Sequence, residues 1–237
     1  MATGSQGKPS ILTRLAFGVG GIADGVKNNG FDYFLLFFYS QVLGVPAAHV
    51  ATALFIALVV DAVSDPVVGY WSDNFRSRLG RRHPFMYAAM LPVAIAYYFA
   101  WNPPAGLTGS ELFPWLVALT ISVRLLFTIY EVPQNALAAE LTSDYDARTS
   151  LMSYRYFFGW VGGLSIQIAL LALLLRPTEA DPSGFFNTEG WHTYGLWASV
   201  VIFFAVLATT AGTHSHIPHL KSPPPQRKLT VRSSKRY

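Results

Sequence analysis

The chain has 237 residues, of which 52% are hydrophobic and only 13% are charged. An average soluble domain has about 25% charged residues, so this composition indicates an integral membrane protein. Cysteine is absent, which excludes disulfides and thiolate metal sites. The formal net charge of +4 is compatible with a nucleic-acid partner by itself, but the positions of the basic residues argue against one.

Six apolar segments reach or exceed the roughly 20 residues that a helix needs to cross a bilayer. They cover residues 11–43, 48–71, 84–101, 112–141, 151–176 and 191–212. We therefore predict an all-α fold with a six-helix membrane domain over residues 1–212. Residues 213–237 are rich in Pro, Lys and Arg, which predicts a flexible, basic cytoplasmic linker.

Among the loops, only alternate ones contain basic residues. The loops 44–47, 102–111 and 177–190 contain no Lys or Arg, whereas the segments on the other side of the spans do. This positive-inside pattern predicts a multi-pass protein of the cell (inner) membrane with both termini in the cytoplasm. Membrane lipid is then the surrounding partner, and no nucleic acid is expected.

The first span carries a polar stripe. Asp24, Asn28 and Asp32 follow one another at four-residue spacing, so they lie on one helix face and predict a lined cavity. Aromatic side chains that face such a cavity stack well on sugar rings, which makes Tyr33, Tyr130 and Trp160 candidate substrate contacts.

The second span contains two aspartates, although each central carboxylate costs roughly 2.5 to 3.5 kcal/mol on insertion scales. Asp61 and Asp65 are four residues apart and therefore share one helix face, where their oxygens can converge on a cation. The loop that follows carries Asp73, Arg76, Arg78, Arg81 and Arg82, which we interpret as a cytoplasmic latch whose ion pairs form in one state and break in another. An ordinary membrane anchor is the alternative for this loop.

The fourth span adds Thr128 and Glu131 on one face. At 1.5 Å rise per residue, Asp24, Asp61 and Glu131 all fall about 15 to 18 Å deep, so three helices carry a carboxylate at one level. This set of oxygens suits sodium, with protonation of the carboxylates as the alternative. The intramembrane bases Lys27 and Arg124 could instead make such acids structural partners. The depth estimate pairs Asp32 with Arg124 as a structural or gating pair.

The motif from Asp61 through Pro66 to Asp73 and Pro84 resembles the helix 2 and loop 2–3 signature of the glycoside-pentoside-hexuronide cation symporters of the major facilitator superfamily. Glu131-Val-Pro133 and the stretch from Leu141 to Arg155 are similar to the next conserved region of that family. The resemblance covers nearly the whole chain in order.

The resemblance implies roles for individual residues. Asp61 and Asp65 match the family's cation-binding carboxylates, and Thr128 matches a residue near that cation. Glu131 matches the position of an acidic sugar ligand in the family. That ligand is an aspartate, so the side chain of Glu131 is one methylene longer. Asp24 and Arg155 each fall one residue from a sugar-binding position of the family.

The resemblance also implies two six-helix halves, of which this chain is expected to be the first, as a fragment or a split product. The function it implies is symport of a sugar or glycoside with sodium or a proton, with no other cofactor and no enzymatic activity. Two alternatives remain: an intramembrane magnesium-dependent prenyl or CDP-alcohol transferase that uses Asp61 and Asp65, and an assembly subunit that does not transport.

Overall fold

The computed structural model describes residues 9–177, 179 and 181–219, so residues 220–237 of the predicted linker lie outside the described part. All regular elements in that part are helices, which confirms the all-α prediction. Five of the helices are long and apolar enough to cross a membrane. The sixth long element is the first in the chain, and π-helical turns interrupt it.

We number the six long elements α1 to α6. Their bounds are residues 11–42 for α1, Ala47–Asn74 for α2, His83–Trp101 for α3, Phe113–Leu141 for α4, Tyr145–Ala169 with the π-helical turn Leu170–Leu174 for α5, and Thr188–His214 for α6. Short 3₁₀ turns at Gly109–Leu112 and Ile217–His219 precede α4 and follow α6.

Helix α1 is made of the α-helical pieces Ile11–Val19, Gly21–Asn29 and Leu35–Phe37, with π-helical turns at Gly30–Phe34 and Phe38–Val42. Gly20, between the first two pieces, has helical dihedral angles, so the run is not broken there. π-helical turns occur often at functional sites. In α1 the first of them carries Asp32 and Tyr33, which belong to the predicted polar stripe and its aromatic contacts.

Side-chain caps fix where several helices begin. Ser10, Asp144 and Asn187 accept hydrogen bonds from the backbone N–H groups three residues further on, at the starts of α1, α5 and α6. Each cap satisfies a donor that the first helical turn leaves free. After α1 the chain turns at Gly44, whose φ of 73° is a left-handed conformation that favours glycine.

The helices pack as a bundle in which α1 contacts α5 and α6, α2 contacts α4, and α3 contacts both α4 and α6. One end of the core is aromatic: the rings of Trp101 and Trp191 stack at 5.8 Å, and Tyr194 meets Trp101 edge-on at 4.8 Å. Of the five long apolar helices, α2 is the least buried. Its exposed apolar side chains suit contact with lipid or further protein.

Helices α1 and α5 approach each other closely through glycine. A Cβ on Gly25 would lie 1.9 Å from the carbonyl oxygen of Gly159, and one on Gly21 would lie 2.0 Å from that of Arg155. Small residues let membrane helices come close enough for such contacts. This approach brings Asp24, between the two glycines, against Arg155 on α5.

Candidate functional site

A polar cavity of about 370 Å³ lies between α1, α4 and α5. Six of the seven predicted substrate residues line it: Asp24, Asn28, Tyr33, Glu131, Arg155 and Trp160. Asp32, which was predicted as a gating residue, also lines it. The lining also includes side chains that the sequence reasoning did not select: Asn29, Asn135 and Tyr156. The cavity therefore presents carboxylates, amides, a guanidinium and aromatic rings to one volume.

Arg155 lies at the centre of this lining. Its Nη2 donates to Oδ2 of Asp24 and to Oε1 of Glu131, the latter at 3.4 Å. The side chains of Arg155 and Asp24 are only 6% and 10% exposed, so their charges compensate each other out of water. The guanidinium thus joins α1 to α4 from its position on α5.

Gln134 holds the other edge of the same guanidinium. Its Oε1 accepts a hydrogen bond of 2.6 Å from Arg155 Nε, and its Nε2 donates to the carbonyl oxygen of Phe17 at 3.1 Å. Gln134 is fully buried with both groups of its amide hydrogen-bonded, and its bond to Phe17 holds the amide oxygen towards Arg155. The sequence offered a signal, because an amide inside a span is costly without partners.

Lys27 is a second base next to the cavity. Its Nζ lies 3.8 Å from Oε2 of Glu131 and 4.9 Å from the centre of the Phe127 ring. The sequence showed this lysine only as an available base, without a partner. Glu131 consequently has a cation at each carboxylate oxygen, Arg155 at one and Lys27 at the other.

Tyr130 does not reach the cavity, contrary to the sequence expectation. The side chain is fully buried, and its hydroxyl donates to the carbonyl oxygen of Gly20 at 3.0 Å. The reason is its rotational position on α4, next to Glu131 in sequence but about 100° away around the helix. Tyr33 and Trp160 do line the cavity and are largely exposed.

A second polar cluster lies between α2 and α4. The hydroxyl of Thr128 is 3.0 Å from Oδ1 of Asp61 and 3.0 Å from Oδ1 of Asp65. The two carboxylates thus meet at one threonine, as expected for two acids one helical turn apart. Ser64 lies beside them, with its hydroxyl 3.5 Å from that of Thr128.

The structure corrects the predicted partner of Arg124. Its Nη1 donates to Oδ2 of Asp61 at 2.8 Å, whereas Asp32 lines the cavity on the α1 side. The depth estimate placed Arg124 about 26 Å and Asp61 about 15 Å from the cytoplasmic end, and it carried no information about rotation around the helix axis. Arg124 is four residues before Thr128, so both face α2.

The two clusters are close enough for their charges to interact. Glu131 lies three residues after Thr128, so one turn of α4 separates it from the hydroxyl that contacts Asp61 and Asp65. On the cavity side, Glu131 contacts Lys27 at 3.8 Å and shares Arg155 with Asp24. Glu131 therefore lies between the cavity and the Asp61 and Asp65 pair.

The α2–α3 loop carries a third set of ion pairs. Arg81 Nη2 lies 2.7 Å from Oε1 of Glu140, Arg82 also contacts that oxygen, and Arg82 Nη2 lies 2.8 Å from Oδ1 of Asp73. Glu140, at the end of α4, is buried and was missed by the sequence reasoning. Arg76 and Arg78 are exposed and lie outside this set.

Among the described residues, no group of three or more His, Cys, Asp or Glu side chains is placed to hold a metal ion. Asp61 and Asp65 supply two carboxylates, to which Thr128 adds a hydroxyl. Such a set is compatible with a monovalent cation or a proton. It lacks the additional acids that a magnesium diphosphate site uses.

The fold and these buried ion pairs define a multi-pass membrane protein of the transporter class. The sequence matches the family described as MFS/sugar transport protein over residues 16–235, and the chain belongs to that family. This assignment confirms both the resemblance and the major-facilitator fold. It also places the chain among transporters, not enzymes.

Individual relatives agree with the family. The chain is 34% identical over 207 residues to an uncharacterized symporter of Synechocystis sp., covering 85% of this chain and 38% of that protein. It is 29% identical over 194 residues to an isoprimeverose transporter of Lactiplantibacillus pentosus, covering 81% and 40%. A sphingosine-1-phosphate transporter of Mus musculus is 32% identical over 160 residues, covering 67% and 32%. The chain thus spans about 40% or less of the length of these curated relatives.

Proposed function

We propose that the transporter containing this chain carries a neutral sugar or glycoside together with sodium or a proton. The observation that carries the proposal is the position of Glu131. It lines the cavity and pairs with Lys27 at 3.8 Å, and it lies one helical turn after Thr128, whose hydroxyl contacts Asp61 and Asp65. The Glu131 carboxylate is therefore close both to a substrate bound in the cavity and to the charges of the second cluster.

The cavity lining favours a polyhydroxylated substrate. Carboxylates, Asn28 and Arg155 supply acceptors and donors for hydroxyl groups, and Tyr33 and Trp160 supply rings on which a sugar can stack. Three acids, Asp24, Asp32 and Glu131, line the cavity. The bases that face them are Arg155 in the lining and Lys27 beside it, so the net formal charge is −1. This acidic balance disfavours an anionic headgroup, so a phosphate-bearing lipid is the weaker candidate despite the relative named for one.

The second cluster supports cation coupling. Asp61, Asp65 and Thr128 present oxygens to one point, and two carboxylates against the single guanidinium of Arg124 leave one negative charge. The cation, as sodium or a proton, would neutralise that charge. Cation binding and substrate binding would then share a coupling free energy, which raises both affinities by the same factor.

We further propose that the transport cycle uses the loop ion pairs as a cytoplasmic latch. Asp73, Arg81 and Arg82 form it with Glu140, and the exposed Arg76 and Arg78 add positive charge beside it. The alternation of basic loops supports an inner-membrane location with both termini in the cytoplasm. A further six-helix half, packed against this bundle, would complete the path for alternating access.

Uptake into proteoliposomes tests the proposal. The intact transporter is reconstituted, and uptake of a panel of radiolabelled glycosides is measured with and without a sodium gradient and a proton gradient. We expect one gradient to drive accumulation, and Asp61→Asn or Asp65→Asn to remove that dependence. Asp146→Asn, an exposed change of the same kind, serves as the control. Uptake that ignores both gradients in the unmodified protein would refute coupling, and competition by lysophospholipids alone would refute the sugar substrate.

A further inference from the structure

Arg124 places a positive charge of the chain itself in the proposed cation site. Its Nη1 donates a hydrogen bond of 2.8 Å to Oδ2 of Asp61, and the Thr128 hydroxyl donates to Oδ1 of the same carboxylate. Both oxygens of Asp61 are therefore engaged by α4. A cation that uses Asp61 as a ligand must therefore compete with a guanidinium that is already present.

The contact between Arg124 and Asp61 has a geometry that a cation can displace. Only Nη1 of the guanidinium contacts the carboxylate, and Nε is buried without a hydrogen-bond partner. Paired, two-point contacts are the strong mode of binding between arginine and a carboxylate, and a one-point contact is weaker. Asp61 also keeps 27% of its side chain exposed, so a cation can reach it.

We propose that Arg124 is an internal counter-ion that competes with the coupling cation for Asp61 and thereby sets the affinity of the site. The inference rests on the cation site proposed above. Asp61, Asp65 and Arg124 together carry a net formal charge of −1. With a neutral residue at position 124, the two carboxylates would present a charge of −2 to the cation. The guanidinium leaves Asp61 when the cation arrives, and it returns when the cation leaves.

A purely structural role for Arg124 predicts the opposite effect on cation binding. If the guanidinium only held the carboxylates in position, its loss would let Asp61 move away from Asp65 and Thr128. Cation affinity would then fall. Competition requires that cation affinity rise, so the sign of the change separates the two roles.

Sodium binding to the purified, intact transporter in detergent tests the inference, with radioactive sodium as the probe. We expect Arg124→Gln to bind sodium tighter by between about 5-fold and 150-fold, the usual range for coupled binding events. Arg124→Lys keeps the charge on a shorter side chain, and we expect a smaller increase. Arg148→Gln, which removes an exposed arginine, is the matched control and should leave the affinity unchanged.

A second change makes the test specific for Asp61. Adding Asp61→Asn to Arg124→Gln should remove the gain, because the carboxylate for which the cation and the guanidinium compete is gone. Unchanged or weaker sodium binding in both Arg124 variants would overturn the inference. Because this measurement needs no transport, a failure of gradient-driven uptake would refute the proposed function and leave the competition result readable.

Discussion

Arg155 on α5 and Asp24 on α1 form an ion pair across the most closely packed helix interface of the bundle, and neither side chain is more than one-tenth exposed. Gln134 and Glu131 hold the same guanidinium from α4. Three helices therefore meet at one arginine. The stability of the bundle and the shape of the cavity depend on the same contacts.

Arg155→Gln is expected to destabilise the protein by about 3–5 kcal/mol, because it leaves the buried Asp24 carboxylate without a cation. Asp24→Asn should cost less, since Arg155 keeps its contacts with Glu131 and Gln134. Thermal unfolding of the purified protein in detergent measures both. Equal losses for the two variants would show that the pair does not act through burial of an uncompensated charge.

Gly25→Ala is expected to separate α1 from α5, because the added Cβ would lie 1.9 Å from the backbone oxygen of Gly159. Gly69 offers a matched control within α2, where the nearest atom to an added Cβ is a Val132 methyl at 3.6 Å. Gly69→Ala should be neutral or stabilise by up to about 1 kcal/mol, since alanine is the better helix former. Unfolding temperatures of the two variants decide this, and a tolerated Gly25→Ala would contradict the close approach.

The sequence predicted much of this arrangement and failed where rotation about a helix axis matters. Helical rise alone placed Asp24 and Glu131 at one depth, and both contact Arg155. The same estimate paired Arg124 with Asp32, because it placed Asp61 about 10 Å away from Arg124 in depth and says nothing about which neighbouring helix a side chain faces. Arg124 faces α2, where Asp61 lies.

Other residues were missed for different physical reasons. Glu140 is at the end of α4, where an acid is ordinary in sequence, and only the fold of the α2–α3 loop brings Arg81 and Arg82 onto it. Lys27 gave a clear signal, because a lysine within a span requires a partner, but the spans contain several acids that could have served. Only the three-dimensional packing selects Glu131.

Glu140→Gln is expected to weaken the ion pairs of the α2–α3 loop strongly, because one buried carboxylate oxygen of Glu140 contacts both Arg81 and Arg82. Asp73→Asn should have the smaller effect, since Asp73 is 53% exposed and exposed ion pairs contribute about 0–1 kcal/mol. Hydrogen exchange of the α2–α3 loop measures the difference. Faster exchange in Asp73→Asn than in Glu140→Gln would contradict the assignment of Glu140 as the shared anchor.

Tyr130→Phe is expected to leave substrate affinity unchanged and to cost about 0.5–1.5 kcal/mol of stability, because its hydroxyl bonds only to the Gly20 carbonyl. Trp160→Ala removes an exposed ring from the cavity lining, and we expect it to weaken glycoside binding without a comparable loss of stability. Equilibrium binding of a labelled glycoside, together with unfolding curves, separates the two. Lower glycoside affinity in Tyr130→Phe at unchanged stability would restore this residue as a substrate contact.

Asp32→Asn should change how strongly the cavity discriminates between neutral and anionic sugars, since it removes one of three lining acids. We expect the unmodified transporter to prefer a neutral glycoside to the corresponding uronic acid, and Asp32→Asn to narrow that preference. Competition binding with the matched pair of sugars measures it. A preference for the uronic acid in the unmodified protein would contradict the argument from cavity charge.

In the proposed transport cycle, Glu131 couples the cavity to the Asp61 and Asp65 cluster. The most direct test of this coupling is a double titration of the intact, purified transporter, with glycoside affinity measured across a series of cation concentrations and cation affinity measured across a series of glycoside concentrations. We expect each ligand to raise the affinity for the other by the same factor, and Glu131→Gln to reduce this factor towards one. Glycoside affinity that stays constant over the whole range of sodium and proton concentrations would contradict the coupling.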